Sequence, residues 1–247
     1  MRLFGKNPVH ERLRSNPSSI RKIYIQEDFP EAAYIYKKAK QWQISVYVIP
    51  KVKMLKLSRH TNVQGIFSDV AEFEYSDFNE LLEAVVKGSG CILFIDGLND
   101  PQNLGAIMRS LACLGDFAIV LPTHDSVSVT EAVLRVACGG ENYVKVARVS
   151  NLAQSVQKAK EAGCLIAGAL AEGGRSPAQA QFAFPLGLVV GSEQKGIRPV
   201  VRRFLDMELT IPMKVKGLSL NTAQAATVMC YEIIRQKNKD TSTSIPQ

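Results

Sequence analysis

Between Cys91 and Ile211 short runs rich in Val, Ile and Leu recur without polar alternation: Cys91–Asp96, Ala118–Leu121, Tyr143–Val149, Cys164–Leu170, Leu186–Gly191 and Glu208–Ile211. A strand with one wet face alternates apolar and polar residues. Runs that do not alternate demand burial on both faces, which a parallel sheet covered by helices provides. The intervening segments have helical spacing over Leu104–Leu114, Val129–Cys138, Leu152–Ala162 and Arg198–Phe204, and the terminal helix Asn221–Gln236 carries apolar Ala225, Val228, Met229 and Ile233 along one side, a stripe suited to burial. This alternation predicts an α/β fold. The longest apolar runs, such as Leu186–Val190, are far too short to span a bilayer. The opening Met-Arg-Leu-Phe-Gly-Lys lacks the apolar core of a signal peptide.

The first part of the chain reads as a smaller α/β unit. Pro8 sits early in a predicted helix, Ile20–Gln26 alternates as a strand, and Glu31–Lys40 is helical. Ile44–Ile49 is a strand closed by Pro50, Met54–Ser58 is ambiguous, and Gln64–Val70 is a further strand. A helix over Asp77–Lys87 ends at Gly88-Ser-Gly90, which marks the boundary. The expected division is 1–75, a linker helix and boundary over 76–90, a larger domain over 91–238, and a polar tail over 239–247.

Charge divides at nearly the same place. Residues 1–60 carry 13 Lys and Arg against 4 Asp and Glu, a balance of +9, whereas the other 187 carry 17 against 19, or −2. A basic patch of this kind suits a phosphate backbone, or else simply solvates a surface. The five cysteines (Cys91, Cys113, Cys138, Cys164, Cys230) and three histidines (His10, His60, His124) are scattered. The cysteines lie mostly inside apolar segments, which fits buried reduced thiols in a cytoplasmic protein, and the scatter argues against a metal site.

Polar clusters mark the ends of the apolar runs. Asn99-Asp100-Pro101-Gln102-Asn103-Leu104-Gly105 joins a strand to a helix, with Asn103 a candidate cap. Arg109 follows six residues later, about 600° around a helix, so it shares no face with Asn103. Gly191-Ser-Glu193-Gln-Lys-Gly196 resembles a phosphate loop but lacks the Gly-Lys-Ser/Thr order, and no Gly-x-Gly-x-x-Gly follows a strand. Ile211-Pro212-Met213 leads to Ser219-Leu220-Asn221, where Ser219 or Asn221 could cap the terminal helix. Each cluster alone is readable as a capped helix or a plain turn.

Together, and in this order, they resemble the SpoU (TrmH-type) family of RNA ribose 2′-O-methyltransferases of the SPOUT superfamily. The matching motifs are Asn-Leu-Gly-x-x-x-Arg at 103–109, Gly-Ser-Glu-x-x-Gly at 191–196, and Ile-Pro-Met with Ser-Leu-Asn at 211–221. Gly5-Lys-Asn-Pro8-Val9-x-Glu11 and Val63-Gln64-Gly65-Ile66 are similar to the substrate-binding domain of the RlmB-like rRNA guanosine methyltransferases, a ribosomal-protein-like RNA-binding unit. Val63 stands where that branch often has His, and Ala223 where the family often has Ser.

The resemblance implies a C-terminal SPOUT domain with a deep trefoil knot, S-adenosylmethionine as cofactor, RNA as substrate and a homodimer. It implies cofactor contacts at Gly191, Gly196, Ile211, Met213 and Leu220. It assigns catalysis to Arg109, supported by Asn103, Glu193, Ser219 and Asn221. A guanidinium stays protonated in nearly any protein setting, so clamping the neighbouring phosphate is physically easier for Arg109 than acting as a base. Methyl transfer needs the acceptor oxygen about 3–3.5 Å from the methyl carbon, so positioning carries much of the acceleration. Other readings are a tRNA methyltransferase, a resistance-type enzyme acting on adenosine of rRNA, and a non-catalytic ribosome-assembly factor.

Overall fold

The computed structural model describes residues 1–58, 63–192, 194–215 and 217–240. The first sheet contains β1 (Arg2–Phe4), β2 (Ile20–Gln26), β3 (Ser45–Ile49) and β4 (Ile66–Val70), in the order β1-β4-β2-β3. β4 runs antiparallel to β1 and β2, while β2 and β3 are parallel. Helices α1 (Lys6–Ser15) and α2 (Ala32–Gln41) cover one face, where Val9, Leu13, Ile35 and Ala39 join Ile23, Ile25 and Ile66. Helix α3 (Lys51–Ser58) covers part of the other, placing Met54 against Phe4, Ile49 and Phe67. Its helical state is settled by that packing rather than by local pattern. β1, absent from the sequence expectation, is three residues long and exists as a strand through its pairing with β4.

Helix α4 (Phe78–Lys87) begins at Asp77, whose carboxylate accepts from the backbone of Asn79 and Glu80. It buries Leu81 and Leu82 against the second sheet. That sheet is formed by β5 (Cys91–Asp96), β6 (Phe117–Pro122), β7 (Val146–Val149), β8 (Leu165–Ala169), β9 (Leu186–Gly191) and β10 (Met207–Leu209). All pairs are parallel, in the order β10-β8-β9-β5-β6-β7. Along β5, Cys91, Leu93 and Ile95 enter one core while Ile92 and Phe94 enter the other. The missing alternation therefore has its expected cause. One face carries α5 (Pro101–Leu114), α6 (Glu131–Ala137) and α9 (Thr222–Asp240); the other carries α4, α7 (Leu152–Glu161) and α8 (Pro199–Arg202).

The expected strand over Tyr143–Val149 is shortened to Val146–Val149, and two further changes from expectation bear on the site. α5 starts at Pro101, not Leu104, because Asp100 accepts from Gln102 N and proline tolerates the first helical position. Asn103 is therefore inside the helix rather than its cap, and Arg109 lies in its third turn. On α9 the stripe expected from Ala225, Val228, Met229 and Ile233 is rotated. Ala223, Ala226, Met229, Cys230, Ile233 and Ile234 are buried, and Val228 is 43% exposed. The tail over 241–247 lies outside the described residues.

The two sheets are not independent bodies of core. One apolar cluster runs from Leu3, Val9 and Leu13 to Val133, Leu134 and Ala137 of α6. Arg2 N donates to Glu131 at 2.6 Å across the same contact.

Candidate active site

The register fixes where the polar clusters meet. Leu209 of β10 pairs with Ala169 of β8, Ala169 with Val190 of β9, and Gly191 with Asp96 of β5. Four adjacent parallel strands thus end at one sheet edge, the usual place for a ligand crevice in such folds. The loops that follow β8, β9 and β10 enclose a cleft of about 510 Å³.

Gly191, Gly196, Ile211, Met213, Ser219 and Leu220 all line this cleft. Gly191 is required by the loop itself. A Cβ there would lie 2.0 Å from Gly196 C and 2.3 Å from Ile197 N, because the chain turns back on itself between Ser192 and Gly196. Gly196 N donates to Ser192 O at 2.9 Å to close that turn. Gly196 has φ +62°, and nothing crowds its absent side chain. Beside the cofactor contact that the resemblance implies, the closed turn gives Gly191 a steric reason within the chain. Glu193 lies outside the described residues.

Asn103, Arg109 and Asn221 do not line the cleft, but they are linked to it. Asn221 follows Ser219 and Leu220 directly and caps α9: its Oδ1 accepts from Gln224 N at 2.9 Å, and Gln224 Oε1 accepts from Asn221 N at 3.3 Å. This reciprocal capping box leaves the side-chain amide free to donate to the buried Asn103 Oδ1 at 2.7 Å. Thr227 and Ser110 join the same two helices at 2.8 Å. Arg109 is exposed on α5, about 9 Å along the axis from Asn103 at 1.5 Å per residue.

Some of the lining has no sequence signal. Ala169–Glu172 enters through the crossover of β8, and Met229 through the packing of α9. A second, polar cleft of about 430 Å³ shares Ser192, Gln194, Lys195 and Gly196 with the first. Beneath it Asp96, 1% exposed, is held by Arg198 through N at 2.8 Å, Nε at 2.7 Å and Nη2 at 2.6 Å. This pair fixes the loop after β9 to the end of β5. The signal available was only a lone carboxylate ending a strand. Among the described residues no cluster of three or more His, Cys, Asp or Glu could hold a metal ion, and no helix is long and apolar enough to cross a membrane.

An α/β domain with its ligand crevice at the carboxyl edge of a parallel sheet, joined to a small basic α/β domain, is the class defined by these features. The profile described as the SpoU rRNA Methylase family matches residues 90–231, and that described as RNA 2′-O ribose methyltransferase substrate binding matches residues 2–76. The chain belongs to the SpoU methylase family of RNA methyltransferases. A protein of Staphylococcus haemolyticus assigned to the TrmH family of tRNA/rRNA methyltransferases is 32% identical over 241 residues, covering 96% of each chain. The AdoMet-bound rRNA methyltransferase of Sinorhizobium meliloti has the same fold, with a TM-score of 0.78 at 20% identity over 95% of this chain and 86% of that one. The SpoU methyltransferase AviRb of Streptomyces viridochromogenes, solved with AdoMet, reaches 0.79 at 21% identity over 97% and 91%. The deep knot is implied by that fold.

Proposed function

We propose that the protein methylates a ribose 2′-hydroxyl in RNA using S-adenosylmethionine, with a guanosine of large-subunit ribosomal RNA as acceptor. The observation that carries this reading is the convergence of three post-strand loops on one cleft, tied by the Asn221–Asn103 bond to the helix that bears Arg109. The cleft fits the cofactor. Its volume falls in the roughly 300–1,000 Å³ range of small-molecule sites. Ile211, Leu220 and Met229 offer apolar surface, and the turn at Gly191–Gly196 offers main chain. When bound, the cofactor supplies a methyl group made electrophilic by a positive sulfur.

The chain's own residues do the rest. Arg109 binds the phosphate next to the acceptor ribose and lowers the pKa of its hydroxyl by proximity of a fixed positive charge. Asn103 and Asn221 hold α5 and the cleft in one register. Glu193 and Ser219 orient the ribose. The basic N-terminal domain brings the RNA; its likeness to the rRNA branch supports the choice of acceptor. A second copy of the chain covers Met213 and Leu218 of the cleft wall, the neighbouring Val215, and Val228 and Tyr231 on α9, all at least 39% exposed; light scattering showing a monomer would remove this part. We place the enzyme in the cytoplasm, in keeping with its free cysteines.

Arg109→Ala should lower methylation of rRNA from cells lacking the gene by at least roughly 100-fold, the order expected when an electrostatic or positioning group is lost. Cofactor affinity, read by titration calorimetry, should stay within about threefold because Arg109 is outside the cleft. Full activity in the variant would overturn the assignment. Methylation of tRNA alone in the same assay would move the acceptor to that class.

A further inference from the structure

We propose that the ion pair between Arg12 of α1 and Glu141, in the turn that follows α6, is a positioning device: through it the N-terminal domain holds the third turn of α5, and with it Arg109, in working geometry. This rests on the assignment of Arg109 made above. Arg12 is 7% exposed and Glu141 5%. Arg12 Nη2 meets Glu141 Oε1 at 3.0 Å, and Glu141 Oε2 accepts from Gly139 N at 3.0 Å. Arg12 Nη1 is steadied by Ser19 Oγ at 3.2 Å. The pair therefore joins the small domain to the turn with both groups taken out of water.

Stability does not explain it. Burial pushes the Glu141 carboxyl above its usual range, and Arg12 with the Gly139 N–H recovers only part of that. Apolar side chains of equal volume generally hold such a contact as well or better. What a buried charged bond adds is a specific pairing of the two partners, made here by the single contact of Arg12 Nη2 with Glu141 Oε1 while Oε2 is held by Gly139 N.

The turn transmits that pairing because its two glycines, Gly139 and Gly140, have no side chains to yield. At Gly139, φ +97°, a Cβ would lie 2.4 Å from Glu11 Cβ of α1. At Gly140 a Cβ would lie 2.9 Å from the Cα of Arg109 and 3.2 Å from its N. Successive glycines thus put bare backbone against α1 on one side and against Arg109 itself on the other. Close-packed interiors pass displacements on rather than absorb them. A shift of α1 when RNA engages the basic domain moves the backbone on which Arg109 stands.

The test uses the full chain, purified S-adenosylmethionine, and large-subunit rRNA from cells lacking the gene. Arg12→Met, Arg12→Lys, Glu141→Gln and Gly140→Ala are compared with Arg109→Ala for cofactor affinity, RNA affinity and the single-turnover rate at saturation. Arg12→Met, Glu141→Gln and Gly140→Ala should lower the saturated rate roughly 10- to 100-fold, as small misplacements do. Both affinities should stay within about threefold. Arg12→Lys, which keeps the charge, should recover part of the loss. A fall in RNA affinity with an unchanged saturated rate would make the pair a mere docking contact, and a lowered melting temperature alone would make it structural; either overturns the proposal. An inactive Arg109→Ala beside fully active Arg12→Met and Glu141→Gln also sinks it while sparing the assignment of Arg109. Full activity in Arg109→Ala would sink that assignment instead. If Arg12→Met does not melt cooperatively, Glu141→Gln and Gly140→Ala decide the matter.

Discussion

At the scale of single residues, two glycines of one turn have different reasons to exist, and this separates their variants. Gly191→Ala forces a Cβ to within 2.0 Å of main chain at Gly196, so the turn must open. Gly196→Ala meets no atom within 4 Å and suffers only from φ +62°, a strain of about 1–2 kcal/mol for an ordinary side chain. Overpacking against backbone costs about 1–3 kcal/mol and also moves the cleft wall. Gly191→Ala should therefore weaken S-adenosylmethionine binding by roughly tenfold or more, and Gly196→Ala by much less. Calorimetric titration of the two variants checks the order; equal losses would show that strain, not crowding, governs the turn. The buried thiols are a contrasting case. Burial pushes Cys91 to about 12 and Cys164 to about 11, which keeps them protonated and inert. Cys113 is exposed, although the apolar segment around it suggested burial for the set.

At the scale of elements, Asn221 does two jobs that substitution can divide. Its Oδ1 caps α9 while its Nδ2 ties that helix to Asn103 of α5. Asn221→Ser keeps a good cap but is too short for Asn103, whereas Asn221→Ala loses both. The alanine variant should lose about 0.5–2 kcal/mol of stability, the serine variant less, and both should lose methylation rate. Thermal melting alongside single-turnover rates checks this; a fully active Asn221→Ser would show that only the cap matters. The cap of α9 was legible only as a choice between Ser219 and Asn221, which the bond to Gln224 N settles for Asn221, and the strands were legible because burial on both faces leaves an unbroken apolar run. β5 and β9 coincide with their expected spans. The start of α5 was missed because Asn103 and Asp100 are equally good caps on paper, and only the observed bond to Gln102 N selects Asp100. β1 and the rotated face of α9 were missed because each is defined by its tertiary neighbours. The Asp96–Arg198 and Arg12–Glu141 pairs join residues 102 and 129 positions apart, and no local spacing encodes them.

At the scale of the molecule, the separation of charge and cleft makes RNA affinity and cofactor affinity independently adjustable. The balance of +9 lies within residues 1–60, and the cleft is lined by residues between Ala169 and Met229. Deleting the small domain would not test this cleanly. Leu3, Val9 and Leu13 share an apolar cluster with α6, so deletion would bare that helix and release Glu141 as well. Neutralising exposed lysines in the intact chain avoids both effects. Lys37 and Lys40 on α2 and Lys51 and Lys53 on α3 are exposed and carry no core contact. Each lysine that touches phosphate contributes about 0.7–0.9 to the slope of log affinity against log salt. The variant Lys37→Gln/Lys40→Gln/Lys51→Gln/Lys53→Gln should bind rRNA more weakly and with a shallower salt dependence. Its S-adenosylmethionine affinity should be unchanged within about twofold, because four charges outside the cleft are screened over about 10 Å at 0.1 M salt. An unchanged slope would mean that these lysines solvate the surface and that RNA meets the chain elsewhere.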